Sequence, residues 1–154
     1  MRQTIDGLEI QMPEGFEREE TMVAFRAPEP PDLRDPRALQ RQLITRPNFV
    51  VHRKKAPPGS DLADLAAQTS RELTDSIAGI LGLDMAELTF ADGATGVLLN
   101  YDFPATKAFT LRQYHAIRLD GGIVTTLTLT TVAAAVSEKV QNEYVESLRS
   151  ARLA

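Results

Sequence analysis

The stretch from residue 109 to residue 132 constrains the fold more tightly than any other part of this sequence. Phe109, Leu111, Gln113, His115, Ile117 and Leu119 alternate with Thr110, Arg112, Tyr114, Ala116 and Arg118, which is the two-residue period of a β-strand. Asp120-Gly121-Gly122 then supplies a tight turn, and residues 123–132 read as a second, threonine-rich strand. If a two-residue turn joins them, odd positions of the first strand lie beside even positions of the second. Gln113 and His115 then sit next to Thr126, Thr128 and Thr130. A three-residue turn would reverse that pairing.

The rest of the chain supplies partners for this hairpin. Asp6-Gly7 marks a turn within residues 4–12, where Leu8, Ile10 and Met12 alternate with polar residues as in a half-buried strand. Residues 16–26 read as a strand pair or one bent strand. Residues 48–53 form another strand, closed by Pro57-Pro58-Gly59. Two further strands fall at about 85–90 and 95–103, separated by Asp92-Gly93. A helix from Ser60 to about Ile80 carries Leu62, Leu65, Ala66, Thr69, Leu73, Ile77 and Ile80 on one face. Asp61 and Asp64 suit its first turn, where negative charge meets the helix dipole. A final helix, about 136–150, has Val140, Tyr144 and Leu148 as its apolar stripe. Between residues 27 and 44 lies a proline-rich insertion with a short helix starting at Asp35-Pro36. The order of strands, helix, strands and helix gives an α+β class, with an antiparallel sheet packed against helices. At 154 residues the chain fits a single domain, 1–154.

Composition removes several kinds of chemistry. The chain has no cysteine and two histidines, His52 and His115, which excludes disulfides, thiolate nucleophiles and cysteine or polyhistidine metal sites. No phosphate-cradling glycine loop or nucleophile elbow is present, so no cofactor is expected. The net charge of −4 argues against a broad nucleic-acid surface. The start of the chain shows no secretory h-region, and no apolar run has the roughly 18–20 residues of a membrane span. A cytoplasmic protein without stable membrane insertion is expected. His52 or His115 with Asp102 would make an acid–base pair if the fold joined them.

Polar side chains on an otherwise apolar strand face require either hydrogen-bond partners in a core or a groove that receives something apolar and hydrogen-bonding. An unpaired buried polar group costs about 1–3 kcal/mol. Both arrangements fit Gln113 and His115.

Three segments bear a family likeness. They are Asn48-Phe49-Val50-Val51-His52-Arg53 with its Pro-Pro-Gly and the helix opening at Ser60-Asp61-Leu62; Leu111-Arg112-Gln113-Tyr114-His115; and Asp120-Gly121-Gly122 leading into Thr126-Leu127-Thr128-Leu129-Thr130. Together they resemble the DcrB-related family, which has a PsbP-like α/β sandwich fold. Lys54 and His115 depart from the family pattern, which usually has an acidic residue and a glutamine there. Without a lipid-bearing cysteine, the chain is most similar to the cytoplasmic branch, which includes the Eag-type chaperones of type VI secretion. The resemblance implies a homodimeric, non-enzymatic chaperone or adaptor that shields a hydrophobic N-terminal helical segment of an effector. It also implies that Gln113 contacts the client. Strand alternation adds His115, Thr128, Thr130 and His52 to the client-binding set. The alternative is a small-molecule or lipid-binding module of the same fold.

Overall fold

The computed structural model describes residues 1–28 and 46–154. The short helix expected to start at Asp35-Pro36 lies outside the described residues. Strands β1 (Arg2–Ile5) and β2 (Leu8–Gln11) form a separate hairpin. Asp6 (φ 48°) and Gly7 (φ 82°) occupy its turn in the left-handed region that Asp and Gly tolerate. Leu8, expected to be half-buried, is exposed, while Ile10 is half-buried.

The main sheet has six strands among the described residues, in the order β3-β4-β8-β7-β6-β5, and every neighbouring pair is antiparallel. Their spans are β3 Glu20–Arg26, β4 Asn48–Lys55, β5 Leu81–Thr89, β6 Thr95–Pro104, β7 Thr110–Asp120 and β8 Ile123–Val132. Residues 16–26 therefore contain a single strand. The β7–β8 turn has two residues: Asp120 pairs with Ile123 across Gly121 and Gly122, whose φ angles are 54° and 80°. This is the turn that places Gln113 opposite Thr130, His115 opposite Thr128 and Ile117 opposite Thr126.

Helix α1 (Leu62–Ser76) begins at Asp61, whose carboxylate accepts a hydrogen bond from the Asp64 N–H at 2.8 Å. It is shorter than its apolar pattern suggests. Ile77 is already extended, and Gly79 at φ 72° turns the chain where an added Cβ would come within 3.1 Å of Pro104. Strand β5 therefore begins earlier than residue 85. Helix α2 (Glu138–Arg149) is capped by Ser137, which accepts from the Val140 N–H at 3.2 Å.

The helices cover opposite faces of the sheet. Ala66, Leu62, Leu65 and Leu73 of α1 pack with Leu99, Ile117 and Val124. On the other face, Leu148 of α2 packs with Tyr114, Ala116, Leu127 and Leu129. Leu148 is fully buried, and burial on that scale contributes about 2 kcal/mol. The result is an α+β fold, with an antiparallel sheet between helices.

Candidate functional site

The face of the sheet beneath α1 carries Gln113 and His115 of β7, Thr126, Thr128 and Thr130 of β8, and His52 of β4. The registers His52 to Thr126 and Tyr101 to Gln113 complete this face, adding Tyr101 of β6. Tyr101 stacks on the His115 ring, with centroids 5.6 Å apart and planes 15° apart.

A directed chain of hydrogen bonds runs across three strands. Tyr101 donates its one hydroxyl proton to Gln113 Oε1. The 2.8 Å contact between His115 Nε2 and Tyr101 Oη is therefore donated by the imidazole N–H. His115 Nδ1 then accepts from the Thr128 hydroxyl at 2.9 Å, and Gln113 Nε2 donates to Thr130 Oγ1 at 2.9 Å. Donor and acceptor counts thus assign the Nε2–H tautomer. Burial pushes the His115 pKa down to about 4, so the ring is neutral near pH 7, and burial pushes the Tyr101 hydroxyl up to about 12. Four of the five side chains of the expected β7–β8 cluster, Gln113, His115, Thr128 and Thr130, join this chain, and Tyr101 is the link that sequence reasoning missed. Tyr101→Phe should cost about 1–2 kcal/mol in chemical denaturation, because it strands the His115 N–H and the Gln113 carbonyl. A neutral result would mean that the hydroxyl does not hold the chain together.

Beside this buried chain the face opens into a cleft of about 420 Å³ between α1 and strands β4 and β8. Val50, His52, Val124, Thr126 and Thr128 line its sheet side, Leu65, Gln68 and Thr69 line its helix side, and Met22 of β3 stands at its margin. The buried His115 also reaches its wall. Pro57, Lys54 and Glu72 complete the lining, which mixes aliphatic groups with hydroxyl, amide, imidazole and charged groups. Of the five expected client-binding residues, His52, His115 and Thr128 border the cleft. Gln113 and Thr130 sit farther along the strands, bonded to each other. Thr126 lines the cleft and was noted from strand pairing, but it was not placed in the client-binding set.

The acid–base pair of histidine and Asp102 does not form. Asp102 is on the α2 face, where Arg112 grips it with bonds of 2.7 and 3.0 Å. His52 instead contacts Glu20 Oε2 at 2.8 Å. Among the described residues, no three His, Cys, Asp or Glu side chains group to hold a metal ion, and no helix is long and apolar enough to cross a membrane.

No family model and no curated protein matches this sequence. Among solved structures, the chain is similar to PA94 from Pseudomonas aeruginosa, a protein of unknown function, with a TM-score of 0.69 at 15% identity. The match covers 100% of this chain and 96% of PA94. The two share a fold. A weaker likeness, with a TM-score of 0.44 at 15% identity, joins 88% of this chain to 83% of LpqN, involved in cell envelope biogenesis of Mycobacterium tuberculosis.

Proposed function

We propose that this protein is a non-enzymatic, cytoplasmic chaperone or adaptor whose α1-side cleft receives a hydrophobic helical segment of another protein. The observation that carries this reading is the cleft lining, in which Val50, Leu65 and Val124 are interleaved with His52, Thr126 and Thr128. An apolar helix in water gains about 25 cal/mol per Å² of apolar surface covered, so even a partial seat is worth several kcal/mol. Hydroxyl and imidazole groups in the same cleft suit a client that also carries backbone or side-chain polar groups. The sequence likeness to DcrB-related proteins of the Eag type narrows the client to the N-terminal hydrophobic segment of a type VI secretion effector, bound by a homodimer.

The test is an affinity purification from the native cell, with bound proteins identified by mass spectrometry, using the natural chain and Thr126→Trp. Thr126 is half-buried on a strand, where an indole is tolerated and would fill the cleft. The expected result is one co-purifying protein with an apolar N-terminal segment, lost in the variant. Equal recovery with both forms would exclude the cleft as the seat.

The cleft volume favours a second reading. About 420 Å³ falls within the range of small-molecule sites, so a lipid or other amphipathic ligand would also fit. A small molecule retained through purification, with no protein partner, would decide for it.

A further inference from the structure

The two edges of the main sheet, as described, are built differently. Strand β5 carries Asp84 and Glu87, and its pairing breaks register between Leu81 and Asp84, features that blunt an edge against further pairing. Strand β3 carries its two charged residues, Glu20 and Arg26, only at its ends, and it pairs with β4 without a register shift along its whole length. It is apolar on both faces: Met22 and Ala24 point to the α1 side, Val23 and Phe25 to the α2 side. Met22 is 64% exposed, Phe25 57% and Val23 42%. A strand with this pattern resembles an interior strand that lacks one neighbour among the described residues.

Its sequence, Glu-Thr-Met-Val-Ala-Phe-Arg, is complementary to itself when reversed. Antiparallel pairing of two copies about Val23 places Glu20 of each, whose carboxylate also contacts His52 of its own chain at 2.8 Å, opposite Arg26 of the other. Met22 meets Ala24, Thr21 meets Phe25, and Val23 meets Val23. Both charged pairs are then of opposite sign, and every central pair contains apolar surface. We infer that β3 is a homodimer interface, pairing antiparallel with β3 of a second copy so that the sheet continues across the two-fold axis. That axis stands perpendicular to the sheet, so the two α1-side clefts, each with Met22 at its margin, open on the same side of the assembly.

This interface gives a surface to the second copy in the proposed function. Its test needs no client, so its failure and the failure of the client reading are distinguishable. Sedimentation of the purified chain should show a dimer. Glu20→Arg alone, or Arg26→Glu alone, sets like charges opposite each other twice and should weaken the dimer about tenfold or more. The double variant restores opposite charges in the reversed sense and should recover the dimer to within a few-fold. Val23→Lys, at an exposed position, should give a folded monomer by circular dichroism and sedimentation. A monomeric natural chain, a dimer indifferent to Val23→Lys, or a double variant no better than the single ones would each overturn the assignment.

Discussion

Lowering the pH from about 7 to about 4 should cost this protein on the order of 3 kcal/mol of stability, through His115 alone. An unfolded chain binds the imidazole proton with a pKa of 6.5, whereas in the folded chain burial pushes it to about 4. Between those values the unfolded state holds a proton that the folded state refuses. Stability is therefore full above about pH 6.5 and falls as the pH drops toward 4. The Thr128 hydroxyl can rotate from donor to acceptor when Nδ1 is protonated, so the hydrogen bond itself survives. What remains is the cost of placing a charge in a buried site. Urea titrations across this range should show the midpoint falling with pH, and His115→Gln, which removes the titration, should flatten the slope. A natural protein with a flat profile, or a variant with the natural slope, would refute the assignment. Asp92 acts in a separate, lower window. The Arg118 guanidinium lowers its pKa to about 2 from 3.8, so its contribution is present above about pH 4 and lost as the pH falls toward 2.

The hairpin that holds this histidine was legible in the sequence because two signals agreed. Alternation along residues 109–119 divided the faces, and Asp120-Gly121-Gly122 limited the turn to a few geometries. The observed two-residue turn is the one that sets Gln113 and His115 beside threonines. Tyr101 was not legible in the same way. Its place beside Gln113 depends on the β6–β7 register, which passes through the connection between Pro104 and Thr110, where no short turn motif fixes the count. The end of α1 was misread for a related reason. Ile77 and Ile80 continue the helical spacing, but the left-handed backbone at Gly79 and the close approach of Pro104 end the helix first. Periodicity reports which side chains are apolar; it does not report where tertiary contacts stop an element. The cleft depends on the β4–β8 register and on the seat of α1, neither of which alternation alone determines.

Arg118→Ala should destabilise the protein by about 3 kcal/mol, although the residue lies on the opposite face from the cleft. Arg118 is 3% exposed, and all five of its N–H donors are used. Nε and Nη2 reach Asp120 at 2.7 and 3.0 Å, Nη1 and Nη2 reach Asp92 at 3.1 and 2.7 Å, and Nη1 also reaches the Ala151 carbonyl at 3.0 Å. The guanidinium lies 4.8 Å from the centre of the Phe90 ring. One side chain thus ties the β5–β6 turn, the end of β7 and the chain segment after α2. The Leu153 N–H, which donates to Asp92 at 3.2 Å, is held at the same point. Removing the cation leaves two carboxylates facing each other without a counter-charge, which is the costly way to break a buried ion pair. Arg118→Lys keeps the charge but not the five-donor fork, so it should recover part of the loss and leave the Ala151 end loosened. Denaturant midpoints for the three proteins, with hydrogen exchange at residues 148–154, separate these effects. If Arg118→Ala unfolds within about 0.5 kcal/mol of the natural chain, the cluster is no more than a solvated surface pair. A large loss of stability with unchanged protection at the C-terminal residues would place its effect in the β5–β6 turn alone.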